Sequence, residues 1–222
     1  MYDRLVERLV PRAGETWLDV ATGTGEIAVR AARGGATVTG LDLSPGMIEK
    51  ARLRPEPVEW LVGDCQNLPF ADGAFDVVAS NFGAIFAPEA SKTASELTRV
   101  CRGRIGITAW EPHPEQELWQ RLLPDEDAGP SPWSDEASVR ALLAGFELDI
   151  EHRTWTLDGA SSAALWDWMS RAFPPHHERV LRMTASQIEE ARTAFERFHE
   201  DYRVGERIRY PRDYMLVVGT KR

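Results

Sequence analysis

The stretch Leu18-Asp19-Val20-Ala21-Thr22-Gly23-Thr24-Gly25-Glu26-Ile27-Ala28 runs from an apolar segment through small residues into a helical pattern. Gly23 and Gly25 leave no Cβ between the backbone and a ligand, and the helix behind them offers free N–H groups in its first turn. A polar group can approach closely here. Gly23, Gly25 and Ala28 also satisfy the G-x-G-x-x-G/A spacing of dinucleotide sites, so the turn alone fits either a nucleoside or a dinucleotide. Asp42, at the end of the next apolar run, can accept hydrogen bonds from both hydroxyls of a ribose, or else begin a helix beside Ser44. In Gly63-Asp64-Cys65-Gln66-Asn67-Leu68-Pro69-Phe70, Asp64 can accept from an adenine amino group while the Cys65 N–H donates to a ring nitrogen. Ser80-Asn81-Phe82-Gly83-Ala84 follows a fourth apolar run.

These segments need a sheet that brings strand ends together. Thr16 to Val20, Thr37 to Leu41, Val58 to Val62 and Phe75 to Ala79 read as successive strands, with helices at Glu26 to Arg33 and Pro45 to Arg54 between them. Ser44 caps the second helix, and Pro45 takes its first position. A helix from Glu89 to Cys101 leads into a fifth strand at Arg104 to Trp110. Pro124 to Pro132 reads as a loop, Ser134 as the cap of a helix that stops at Gly145, and Phe146, Leu148 and Ile150 as a sixth strand. A seventh strand, Tyr214 to Thr220, ends a single α/β domain over residues 1–222, with the cofactor-binding core at about 14–110. Helical material from about 158 to 206 interrupts the strands and reads as a lid. Its last helix opens with the capping box Thr184-x-x-Gln187 and carries Ile188, Ala191, Phe195, Phe198 and Tyr202 as a stripe, suited to the core or to a homodimer.

Composition narrows the function classes. Hydrophobic residues at 43% and charged residues at 27% are ordinary for a globular protein, and the net charge of -9 disfavours a nucleic-acid substrate. Charges scattered through the first eight residues, and the absence of a long apolar run, lead us to expect no membrane partner and a cytoplasmic location. Cys65 and Cys101 form no CxxC pair, so neither a disulfide framework nor a metal site is expected.

Residues 14–110 resemble the class I methyltransferases, specifically the group that includes the ubiquinone and menaquinone biosynthesis enzymes. The resemblance implies a doubly wound, seven-stranded, mostly parallel sheet with helices on both faces and an antiparallel last strand. It implies S-adenosyl-L-methionine as cofactor, with Ala21, Thr22, Gly23 and Gly25 around its methionine part and Asp19 supporting that turn. Asp42 would bind the ribose, Leu43 and Met47 would pack near the nucleoside, Asp64 and Cys65 would recognise adenine, and Asn81 would lie beside the amino-acid end. Ala21 replaces a glycine common in the turn, and Cys101-Arg102-Gly103-Arg104 lacks the longer Pro-Gly-Gly turn before the fifth strand. An NAD-dependent oxidoreductase is the rival reading, but no Tyr-x-x-x-Lys dyad occurs.

The implied reaction is in-line attack on a sulfonium methyl, which needs alignment and exclusion of water more than a covalent intermediate. An aromatic-lined pocket favours the cation. The expected acceptor is an oxygen, nitrogen or sulfur atom of a small apolar or aromatic molecule, because Trp110, Trp119, Trp133, Trp155, Trp166 and Trp168 crowd the second half. His176 and His177, after Phe173-Pro174-Pro175 in the lid, and His113 beyond the fifth strand are the candidate general bases, with solvated loop histidines as the competing reading. A protein that binds the cofactor without turnover is the alternative.

Overall fold

The computed structural model describes residues 1–122 and 131–222, so most of the loop expected at Pro124 to Pro132 lies outside the described residues. The chain order begins α1 (Tyr2–Leu9), β1 (Thr16–Val20), α2 (Glu26–Arg33), β2 (Thr37–Asp42), α3 (Pro45–Ala51), β3 (Val58–Val62) and β4 (Phe75–Asn81). After a 3-10 turn (Ala84–Phe86) come α4 (Ala90–Val100), β5 (Cys101–Trp110), α5 (Pro114–Leu122), α6 (Glu136–Leu142) and β6 (Phe146–Gly159). The order ends with α7 (Ser162–Ala172), α8 (Pro174–Leu181), α9 (Ala185–Glu200), β7 (Arg203–Val204) and β8 (Arg207–Lys221).

The sheet order is β3-β2-β1-β4-β5-β8-β6, with β7 paired to β8. β1 to β5 run parallel to one another, and β8 runs antiparallel to β5, with Tyr214 facing Trp110 and Thr220 facing Arg104. The seven expected strands with an antiparallel last one are present, and the two-residue β7 makes eight. From β1 the chain builds outward to β3, then returns to lay β4 on the other side of β1. That reversal places a crevice at the carboxyl ends of β1 and β4, where open α/β sheets take ligands.

Side chains alternate across β1. Leu18 and Val20 face a core shared with Ala94, Leu97 and Val100 of α4 and Val139 of α6, whereas Asp19 faces α2 and is bonded to the Ala28 N–H. The chain divides into two compact units, one of residues 1–111, 131–153 and 214–222, the other of 112–130 and 154–213. The second unit has its own core of Leu118, Trp119, Leu165, Trp166, Met169, Phe195 and Tyr210. The α9 stripe is used there: Ala191 and Phe195 are buried, and Ile188, Phe198 and Tyr202 pack against that core. The Thr184 and Gln187 capping box is formed in both directions.

Several boundaries differ from the sequence expectation. α3 ends at Ala51 rather than Arg54, and Pro55 keeps Arg54 from continuing it. Asp135, not Ser134, caps α6: its carboxylate accepts the Ser138 N–H at 3.0 Å, while the Ser134 hydroxyl donates to the Ser131 carbonyl at 2.7 Å. That helix stops at Leu142. β5 starts at Cys101, and the register shift between Phe75 and Val77 absorbs Arg102 and Gly103 without a longer turn. A Cβ on Gly103 would lie 2.5 Å from the Asp76 carbonyl oxygen. Among the described residues, no helix is long and apolar enough to cross a membrane.

Candidate cofactor site

The turn after β1 is held from beneath. Asp19, 2% exposed, accepts the Thr22 hydroxyl at 2.5 Å and the Ala28 N–H at 3.0 Å through one oxygen. Burial pushes its carboxyl up to about 7, against the pull of those two donors. The Thr22 N–H donates to the Leu41 carbonyl at 2.9 Å, tying the turn to β2. Ala21, Gly23 and Gly25 have φ of 54°, 56° and 85°. For Ala21 the left-handed conformation costs about 1–2 kcal/mol, a strain of the kind that collects at ligand sites.

The two turn glycines do different work. A Cβ on Gly25 would lie 2.4 Å from the Trp60 indole, which also fills the space above Gly40, so Gly25 is needed for packing as well as for φ. A Cβ on Gly23 would meet nothing within 4 Å. Open space over Gly23 is what a ligand pressed against backbone requires.

Asp42 closes the site from β2. One carboxylate oxygen accepts the Gly23 N–H at 2.8 Å and the other the Ser44 N–H at 2.9 Å. The Ser44 hydroxyl accepts the Met47 N–H at 3.4 Å, so Asp42 is fixed by α3 as well as by the turn. Leu43 is 69% exposed and Val62 51% exposed, apolar surface that a planar base can cover. After β3, Asp64 accepts the Gln66 N–H at 2.8 Å, and Cys65 is half-buried with its thiol pushed up by burial. After β4, the Asn81 side-chain oxygen accepts the Thr108 hydroxyl at 3.1 Å, and that hydroxyl oxygen accepts the Phe82 N–H at 3.0 Å. A Cβ on Gly83 would lie 2.4 Å from the Ala21 Cβ, so β4 ends against the turn. An open glycine turn, a carboxylate on β2, exposed apolar surface beside it and an acid after β3 fit the parts of an adenosyl amino acid.

Residues 18–104 match the family model described as a methyltransferase domain. That stretch of the chain is thus similar to a methyltransferase domain. An uncharacterized protein of Mycobacterium tuberculosis is 41% identical to it over 162 residues, covering 66% of this chain and 58% of that protein. The ubiquinone/menaquinone biosynthesis C-methyltransferase of Roseobacter denitrificans is 37% identical over 128 residues, covering 52% of this chain and 50% of the enzyme. The chain thus spans between half and three fifths of these relatives. The YcgJ protein of Bacillus subtilis shares the fold with a TM-score of 0.70 at 20% identity, over 100% of this chain and 97% of its own. The cyclase SpnF shares it with a TM-score of 0.62 at 22% identity, over 99% of this chain and 80% of its own.

The three candidate bases, His113, His176 and His177, all lie in the helical unit. His113 has both ring nitrogens engaged, Nδ1 with the Tyr210 hydroxyl at 3.3 Å and Nε2 accepting from Arg212 at 2.9 Å. Burial and the Arg212 charge push it down to about 3. His176 is 4% exposed, wedged between the Trp119 and Phe173 rings, with Nε2 3.7 Å from Glu115. It and His177 sit in α8, which Pro174 opens, rather than in a loop. His177 Nδ1 lies 2.9 Å from the Ser170 carbonyl, which leaves Nε2 without a partner among the described residues.

The sequence points to none of the partners Glu115, His199, Tyr210 or Arg212, because groups 95 and 99 positions apart in the chain carry no spacing signal. Trp60 likewise carries only a strand signal in the sequence. Of the second-half tryptophans, Trp119, Trp133 and Trp166 are core, Trp168 is 48% exposed, and Trp110 stacks on Phe82. Among the described residues, no group of three or more His, Cys, Asp and Glu side chains is placed to hold a metal ion.

Proposed function

We propose that the protein transfers the methyl group of S-adenosylmethionine to an oxygen, nitrogen or sulfur atom of a small, apolar or aromatic molecule. The observation that carries this reading is the Asp42 carboxylate bonded to the Gly23 N–H beside an open turn, a ribose acceptor and a backbone cradle made as one piece. When bound, S-adenosylmethionine supplies an electrophilic methyl on a sulfonium. The chain's own part is positioning: Asp19 and Thr22 hold the turn, Asp42 and Asp64 accept from ribose and adenine, and Leu43 and Met47 shield the nucleoside from water. A hydroxyl or ammonium acceptor also needs its proton taken. A thiolate acceptor needs no base.

Carbon is the second reading, favoured by the relative that carries the name C-methyltransferase. The net charge of -9 supports a small-molecule acceptor over a nucleic acid. SpnF, a cyclase with the same fold, keeps a non-transferring protein among the outcomes. Incubation with methyl-labelled S-adenosylmethionine and fractionated extract of the source organism tests the proposal. Label in the small-molecule fraction supports it, and the methylated atom decides between heteroatom and carbon. Label on protein or RNA overturns the acceptor class.

A further inference from the structure

Phe82 holds its ring at the switch point in a backbone conformation that glycine would adopt more easily. Its φ is 55°, its N–H is fixed by the Thr108 hydroxyl oxygen, and Gly83 beside it is pressed against Ala21 of the cofactor turn. The ring stacks on Trp110 with centroids 4.0 Å apart and planes 19° from parallel, and it meets Tyr214 edge to face at 5.4 Å. Trp110 and Tyr214 are buried, whereas Phe82 is only half-buried. The strained residue is therefore the least buried member of a three-ring cluster at the carboxyl ends of β4 and β5. Ring faces carry negative charge and attract cations.

We propose that Phe82 is a specificity-determining residue that reads the charge of the cofactor, favouring cationic S-adenosylmethionine over the neutral thioether S-adenosylhomocysteine. The proposal rests on the cofactor reading above and goes beyond it, because it assigns a preference for donor over product to one ring. Trp110 and Tyr214 act behind it as positioning residues that keep the ring upright. The preference would help spent cofactor leave.

Calorimetric titration tests it without an acceptor. S-adenosylmethionine, S-adenosylhomocysteine and sinefungin, in which an ammonium replaces the sulfonium, are titrated into the wild type and into Phe82→Leu, Phe82→Tyr and Phe82→Gly. Phe82→Leu should weaken the two cationic ligands about fivefold to tenfold and S-adenosylhomocysteine by about twofold or less. Phe82→Tyr should keep the wild-type ratio. Phe82→Gly, whose backbone is at ease with positive φ, should fold and lose the ratio as Phe82→Leu does. Equal weakening of all three ligands overturns the proposal while leaving the cofactor reading intact, because the ring would then only shape the pocket. If none of the three binds the wild type, the cofactor reading falls and this inference with it.

Discussion

The Asp42 carboxylate accepts the Gly23 N–H at 2.8 Å, so the acid at the end of β2 and the glycine turn after β1 form one hydrogen-bonded unit. Asp42→Ala should therefore cost twice, by removing the ribose acceptor and by loosening the turn. Hydrogen bonds to a charged group contribute about 1.5–3 kcal/mol, so S-adenosylhomocysteine binding should weaken roughly 10- to 100-fold by calorimetry. Asp42→Asn, which keeps one acceptor oxygen, should lose less. Equal affinity in wild type and Asp42→Ala would remove Asp42 from the site.

The two turn glycines should separate stability from binding. Gly25→Ala drives a methyl into the Trp60 indole at a φ of 85°, and overpacking of that kind destabilises by about 1–3 kcal/mol, read as a lower midpoint of urea unfolding. Gly23→Ala meets no neighbour and carries only the left-handed cost of about 1–2 kcal/mol, yet its methyl occupies the ligand's space. It should fold and fail to bind. A Gly23→Ala protein with wild-type affinity would show that the space over Gly23 is not the ligand's.

Asp19 makes cofactor binding depend on pH. Its carboxyl is raised to about 7 by burial, so near neutral pH it is part protonated. A ligand carrying an ammonium favours the ionised form, and binding then releases a proton. Affinity for S-adenosylhomocysteine should rise from pH 6 to pH 8 and level off above, and Asp19→Asn should flatten the profile. A flat wild-type profile would contradict a link between Asp19 and the ligand's charge.

Much of the cofactor half was legible in the sequence. The β1 turn, Asp42, the Asp64 segment and Asn81 come to the switch point because strand and helix periodicity dictates a right-handed βαβ series, whose carboxyl ends share one rim. Ser44 and the Thr184 capping box were equally readable, since a cap is a local hydrogen bond. What escaped depends on distant pairing. Trp60 beneath Gly25 and Gly40, and Phe82 on Trp110, are contacts across neighbouring strands. The bulge at Asp76 arises from β4 and β5 together.

The helical unit offers an independent test. His113 is pushed down to about 3, and burial also lowers His176 and His199, so the folded chain protonates these three less readily than the unfolded chain does. The unfolded chain binds those protons near pH 6.5 and the folded chain only at lower pH, so stability is full above pH 6.5 and falls on acidification. Asp19 opposes the trend, because its raised value favours the folded state as pH drops below 7. His152, raised by its hydrogen bonds to Glu111 and Glu136, opposes it as well, so the loss of stability on acidification comes from the buried histidines, His113 and His176 foremost. Urea midpoints should fall between pH 7 and pH 5, and His176→Phe should make the fall shallower. A midpoint constant over that range would contradict the buried neutral histidines.

The most direct test of the central claim is a calorimetric comparison of S-adenosylhomocysteine and NAD on the wild-type protein. The account predicts one S-adenosylhomocysteine site per chain, abolished or strongly weakened by Asp42→Ala, and no measurable NAD binding. NAD binding in place of S-adenosylhomocysteine, or binding of S-adenosylhomocysteine indifferent to Asp42, would contradict it.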